Sequence, residues 1–363
     1  DLTAAIALVP REAGPRYHRG ILRSEWGRRL MMTGGDAEPR YADAVADFDA
    51  AIERDPKAAR AWSGRAHANN YRALVRKDRG EDPDPWFERA LADAGQALAL
   101  SPERPSVWLM RARLRANWAL VQSRRGRDPA ELHRDAEADY QRALELDPVA
   151  SEPWFGRAIL RLNQGDWEMG RGGDPRPHWD GSEADFRAAL ERDADSAWIW
   201  MSYGGLHSAR ARFSEARGER ETRHHEEAEK ALTRALEIDP SLGDAWLRRA
   251  ATRLNWALWG YFRAEDPQPR FEGALHDFGK AIEVNPRDAE AWTKRGMLNG
   301  NWALFLMQNR RDPVARFEAA FADLEKGLEL NPAQVEVWHG RGGLRVNRGL
   351  WLESQGGDPQ PLY

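Results

Sequence analysis

The side chains able to do chemistry in this chain recur along it and do not converge on one point. An arginine returns at a fixed interval of 46 residues, at Arg19, Arg65, Arg111, Arg157, Arg249, Arg295 and Arg341. An aspartate returns at the same interval, at Asp47, Asp93, Asp139, Asp185, Asp277 and Asp323. A guanidinium forks onto a carboxylate through two parallel hydrogen bonds, so the two columns can form strong, directional pairs. They lapse together, at Tyr203 and Ala231. That joint loss points to pairing within one unit, because a partly buried arginine left alone costs more than losing both partners. The predicted pairs are Arg65–Asp93, Arg111–Asp139, Arg157–Asp185, Arg249–Asp277 and Arg295–Asp323. Arg341 has no such aspartate; counted at the period, the missing position is the one that Asp1 would fill from another copy.

A second set, Arg23, Arg115, Arg161, Arg253 and Arg345, lies one turn further on and leaves positive charge over. It reads either as a stripe for acidic peptides or phosphates, or as a solvated face balanced by glutamates such as Glu145, Glu237, Glu283 and Glu329. His224-His225 suggests a metal, but adjacent side chains point different ways on a helix and no third ligand stands nearby. There is no phosphate-loop pattern, no GxSxG and no HExxH. Carboxylates repeat at surface positions, so neither an enzyme nor a cofactor or metal site is expected.

The elements that must position these columns share the same period. A tryptophan opens the units at Trp62, Trp108, Trp154, Trp200, Trp246, Trp292 and Trp338, and Arg16 holds that position in the first full unit. A proline closes it at Pro10, Pro56, Pro102, Pro148, Pro240, Pro286 and Pro332, with Ala194 in the one gap. Periods of this size mark stacked arrays, in which each unit's apolar face is covered by its neighbours. Each unit reads as two helices. The first runs from the tryptophan, with Ala112, Trp118 and Ala119 on the face of Trp108. The second follows an Asp-Pro pair (Asp82-Pro83, Asp128-Pro129, Asp174-Pro175, Asp266-Pro267, Asp312-Pro313, Asp358-Pro359), with aspartate as cap and proline in the first turn. Trp26, Trp118, Trp256 and Trp302 stand ten residues into the first helix. The tryptophans read as core packing between first helices, with an aromatic binding ladder as the rival. Asn117, Asn163, Asn255, Asn301 and Asn347 fall on the opposite side from the opening tryptophan. They form a partner-binding face able to grip a peptide backbone, or a side-chain ladder between units.

The unit resembles the tetratricopeptide repeat. The resemblance rests on the early tryptophan, the small residue four positions later (Ala66, Ala112, Gly296), and the second-helix pattern of Ala320–Pro332 running on, as at Pro286–Trp292, to the next tryptophan. It implies an all-α, right-handed solenoid of helical hairpins that binds proteins and has no catalytic activity. This unit is longer than the family's typical one, and the arginine column stands where the family prefers an apolar residue.

The expected organisation is a single solenoid over residues 1–363: a half repeat 1–15, full repeats 16–61, 62–107, 108–153, 154–199, 200–245, 246–291 and 292–337, and an incomplete repeat 338–363. Net charge is −4 with 31% charged residues of both signs, which argues against a general nucleic-acid binder. No apolar run is long enough to span a membrane. Cysteine is absent, and with Asp1 in place of an initiator methionine this leans to an exported or cell-surface bacterial protein. The expected function is a structural scaffold that joins copies head to tail into an open helical fibre. Asp1, Leu2 and Ile6 of one copy would meet Trp338, Arg341, Arg345, Trp351 and Tyr363 of another. The rivals are a monomeric peptide-binding adaptor, and a repeat region excised from a larger regulatory protein.

Overall fold

The computed structural model describes residues 1–32, 34–219 and 222–357. Among these the chain is all-α: sixteen helices and no strand. It divides into two compact units, Asp1–Asp193 and Ala194–Tyr363. The division falls at Ala194, the gap in the proline column.

The first unit holds α1 (Leu2–Leu8), α2 (Gly14–Met32), α3 (Glu38–Arg54), α4 (Ala59–Asp78), α5 (Asp84–Leu100), α6 (Pro105–Arg124), α7 (Ala130–Leu146), α8 (Ser151–Gly170) and α9 (Arg176–Arg192). The second holds α10 (Ala197–Ala216), α11 (Arg223–Ile238), α12 (Gly243–Tyr261), α13 (Gln268–Val284), α14 (Ala289–Gln308), α15 (Val314–Leu330) and α16 (Val335–Ser354). Even-numbered helices from α2 on are the first helices of the repeats. Each packs along the odd-numbered helix that follows it, except α16, the last of the described helices. Within each unit successive first helices also touch, α2–α4–α6–α8 and α10–α12–α14–α16. The first helices therefore line one side of each stack.

The turns explain why the helices start and stop where they do. Asp82, Asp128, Asp174, Asp266 and Asp312 each accept a hydrogen bond from the backbone N–H two residues on, at 2.9–3.3 Å. The aspartate thus satisfies one of the helix's unpaired N–H groups. The proline stands one residue earlier than expected: Pro83, Pro129, Pro175, Pro267 and Pro313 occupy the N-cap and not the first turn. Its carbonyl accepts the first helical bonds, as Pro83 does from Trp86 and Phe87. At the other end of that loop the chain passes through the left-handed region at Gly34, Gly80, Gly126, Gly172, Gly218 and Gly356, with φ of 70–80°. Ala264 and Arg310 hold the same repeat position, at φ 63° and 54°.

The core is a stack of thin layers. Ala44, Ala90, Ala136, Ala228, Ala274 and Ala320 on the second helices are fully buried, which lets the two helices of a hairpin approach closely. Beside them lie larger side chains of matched size. Phe48 and Tyr140 fill space left by Gly64 and Gly156, where a Cβ would come within 2.5 Å of the facing ring. One repeat between them has the reverse arrangement, Ala94 with Met110 in one cluster.

Candidate functional site

The first helices α4, α6, α8, α12 and α14 each carry a module of tryptophan, arginine and aspartate built on the opening tryptophan. The indole N–H donates to the carbonyl six residues back, on the closing proline: Trp62 to Pro56, Trp108 to Pro102, Trp246 to Pro240 and Trp292 to Pro286, at 2.7–2.9 Å. Trp200 makes the same bond to Ala194, whereas the Trp154 N–H is buried with no partner. The tryptophans are half-buried, so besides packing they staple the loop between hairpins. Three residues on, the arginine lies over its own tryptophan ring. The guanidinium-to-centroid distances are 4.8–5.0 Å for Arg65, Arg111, Arg157, Arg249 and Arg295.

The same guanidinium forks onto the aspartate of its own repeat. Arg249 meets Asp277 through two bonds of 2.8 Å, and Arg157 meets Asp185 at 2.7 and 2.9 Å. Arg65–Asp93, Arg111–Asp139, Arg295–Asp323 and Arg19–Asp47 have the same geometry. The carboxylates are almost fully enclosed, Asp277 at 0% exposure. The hydrogen bond to Asp93 raises the Arg65 pKa further above its ordinary range, with burial acting against it. The third arm of the fork reaches the preceding repeat, from Arg65 to Asp49, Arg157 to Gln141 and Arg249 to Thr233.

Apart from Arg345, the second arginine set is not left over, and here the sequence reading needs correction. Arg23, Arg161 and Arg253 donate to the same aspartates as the first set, Asp47, Asp185 and Asp277, at 2.6–2.9 Å. Arg115 does so to Asp139. Each also donates to a backbone carbonyl of the second helix, at Asp43, Asp135, Gly181 or Gly273. Further carboxylates close the network, Glu137 on Arg161 and Glu229 on Arg253. One buried aspartate is thus shared by two arginines, and their charge is spent inside the repeat. In the repeat 292–337 Asn299 takes the second arginine's place on Asp323, at 3.2 Å.

A different feature is open. Along the first helices of the Asp1–Asp193 unit runs a groove with two cavities, of about 500 and 290 Å³. The larger is lined by Leu109, Met110, Phe155 and Ile159, by Asn70, Asn117 and Asn163, and by Arg113. Asn117 donates to Asn70 at 3.2 Å, one rung of a ladder between repeats. Asn163 makes no hydrogen bond to any described residue. Asn255, Asn301 and Asn347 are half-buried on α12, α14 and α16. Burial lowers the His67 pKa, and Arg113 lowers it further, so this groove imidazole is neutral at physiological pH.

Of the residues expected at an end-to-end interface, Asp1 precedes α1 and is exposed, with Leu2 and Ile6 half-buried on α1. On α16, Trp338 is 52% exposed and Trp351 half-buried. Arg341 lies 4.0 Å from Glu325, and Arg345 is exposed. Tyr363 and Asp358-Pro359 lie outside the described residues. His224 stands 3.3 Å from His207. Among the described residues no group of three or more His, Cys, Asp or Glu side chains is arranged to hold a metal ion, and no helix is long and apolar enough to cross a membrane.

Stacked helical hairpins whose first helices line one side of each stack define a helical-repeat scaffold. The chain is a tetratricopeptide-repeat-like protein: models of the tetratricopeptide repeat match residues 39–83, 130–168 and 219–242. No curated protein matches the sequence. Among solved structures it is similar to the human IFIT1 dimer with m7Gppp-AAAA, at 17% identity and a TM-score of 0.52 over 93% of this chain and 64% of that one. It is also similar to YrrB, a TPR protein with an unusual peptide-binding site, at 20% identity and a TM-score of 0.34 over 67% of this chain and 95% of that one. A third is a tetratricopeptide repeat protein from Parabacteroides merdae, at 15% identity and a TM-score of 0.46 over 89% and 97%. At such identities the likeness to IFIT1 is one of fold. Folds of this kind generally serve as non-catalytic scaffolds for protein interaction.

Proposed function

We propose that the chain is a non-catalytic scaffold that holds a segment of a partner protein in the first-helix groove of residues 1–193. The observation that carries this is the open cavity over α4, α6 and α8, in which apolar side chains alternate with asparagine amides and Asn163 keeps its hydrogen-bonding capacity unused. An amide offers one donor and one acceptor side, the complement of a peptide bond. The test is panning of the full chain against a phage-displayed library of random dodecapeptides. Recovered peptides should lose binding to Asn163→Trp, which fills the groove, and keep it with Glu131→Trp, on an exposed face of α7. Peptides that bind both variants alike would defeat this reading.

A second reading is end-to-end self-association, favoured by two exposed apolar faces. On α16, Trp338, Val346 and Leu350 are 46–52% exposed. On α2, Leu22 and Trp26 are 60% and 51% exposed. Internal counterparts of Trp26 are covered by a ring of the preceding repeat, Trp118 by Phe87 at 5.8 Å and Trp302 by Phe271 at 5.6 Å. A second copy docked with α1 against α16 would remove on the order of 1,000 Å² from water, enough for a specific contact, and would set Asp1 beside Arg341. Light scattering across concentration tests it. Fibres should shorten with Arg341→Glu and recover with Arg341→Glu plus Asp1→Arg; a monomer at high concentration sinks the idea.

A further inference from the structure

The floor of the larger cavity contains one polar group that the fold leaves unused. Tyr140 of α7 is 2% exposed and lines the cavity. Its hydroxyl makes no hydrogen bond to any described residue. It lies against Gly156, where a Cβ would come within 2.7 Å of it. At this position the other repeats carry Phe48, Ala94, Phe186, Leu232, Phe278 and Leu324. Packing therefore calls for an aromatic ring or an aliphatic group here, and nothing in the packing calls for a hydroxyl. The hydroxyl is not sealed in the core: it opens into the cavity, where an acceptor on a bound segment can replace solvent.

Arg113 lines the same cavity. It is exposed and, unlike every arginine of the two columns except Arg345, has no carboxylate partner among the described residues. Its charge is felt at both Tyr140 and His67. Burial pushes the Tyr140 phenol above its ordinary range, so it remains a donor at neutral pH. Around this donor and cation stand Leu109, Met110, Phe155 and Ile159.

We infer that Tyr140 and Arg113 determine what the groove accepts: a partner segment in which an aromatic or aliphatic side chain is followed closely by a carboxylate. The apolar side chain fills the cavity. The carboxylate takes the Tyr140 hydroxyl proton as a hydrogen bond and neutralises Arg113, which removes the need to bury an unpaired charge. Lysine-bearing segments are rejected by Arg113.

This rests on the groove reading, and the test separates the two. The full chain is panned with the phage-displayed random dodecapeptide library, and a recovered peptide is labelled and titrated by fluorescence anisotropy. Recovered peptides should carry Asp or Glu beside an apolar residue. Tyr140→Phe should weaken binding roughly tenfold or more, the loss of one hydrogen bond to a charged group. Its fold is safe, since Phe48, Phe186 and Phe278 already occupy that position in other repeats. Arg113→Gln should abolish the preference for a Glu peptide over its Gln counterpart. Peptides that Asn163→Trp releases but that bind wild type, Tyr140→Phe and Arg113→Gln equally would keep the groove and overturn this inference. Recovery of no peptide at all overturns both.

Discussion

Asp277 shows how a charge can be buried in a repeat core. It receives three hydrogen bonds of 2.8 Å from two guanidinium groups, and Gly273 and Glu229 take further donors. Asp277→Ala would leave Arg249 without a carboxylate and Arg253 with Glu229 alone, and should lower unfolding free energy in urea by about 3–5 kcal/mol. The repeat 200–245 carries the alternative solution, with Tyr203, His207 and Ala231 in the three positions. Arg249→Tyr, Arg253→His and Asp277→Ala together should therefore cost less than Asp277→Ala alone. If the triple variant is the less stable, the charge-sharing account fails. His133 gives a second residue-scale prediction. Burial, aided by His178, depresses its pKa to about 4. The unfolded chain, with an ordinary imidazole near 6.5, then binds more protons between these two values. Stability should be full above about pH 6.5 and fall by up to ~3 kcal/mol as pH drops towards 4. Phe87, Phe271 and Phe317 hold the same repeat position, so His133→Phe should flatten that part of the pH profile while preserving the fold.

At the scale of elements, the periodic columns made most of the fold legible. A proline and a tryptophan returning every 46 residues place the loops, and paired losses place Arg beside Asp. What the columns did not reveal are contacts whose partners are backbone atoms. The indole N–H to proline carbonyl staple and the second arginine's carbonyl contacts leave no trace in residue types, because any residue supplies a carbonyl. Asn117 and Asn163, expected on a partner-binding face, line the groove, but the rest of its lining escaped for a related reason. Tyr140 reads as one more aromatic in a column of core rings, and Arg113 as one more surface charge; only their placement around a cavity sets them apart. The left-handed turn was not among the expectations, although glycine recurs at six of its eight positions. The two exceptions are a test. A side chain in this region costs about 1–2 kcal/mol relative to the right-handed helix, which glycine avoids. Ala264→Gly should raise the melting temperature, by about 1 kcal/mol in stability. An unchanged or lower value would mean that strain there is relieved by the surrounding loop.

At the scale of the whole molecule, stability in a stacked array is a sum over repeats and their nearest neighbours, without contacts distant in sequence. The groove, its two cavities, Tyr140, Arg113 and the asparagines at 70, 117 and 163 all lie within residues 1–193. That unit also has its own stack of core layers, from Phe48 to Phe186, and four complete first helices. A chain of residues 1–193 should therefore fold by itself, with a helical circular-dichroism spectrum and a cooperative urea transition. It should bind the peptides recovered on the full chain within about threefold of the same affinity, since the groove loses no lining residue. Residues 194–363, which carry Asn255, Asn301 and Asn347 but neither Tyr140 nor Arg113, should not bind them. Peptide binding by residues 194–363 would move recognition from the tyrosine and arginine of one cavity to the asparagine column as a whole. Failure of residues 1–193 to fold would mean that the repeats do not act as near-independent layers.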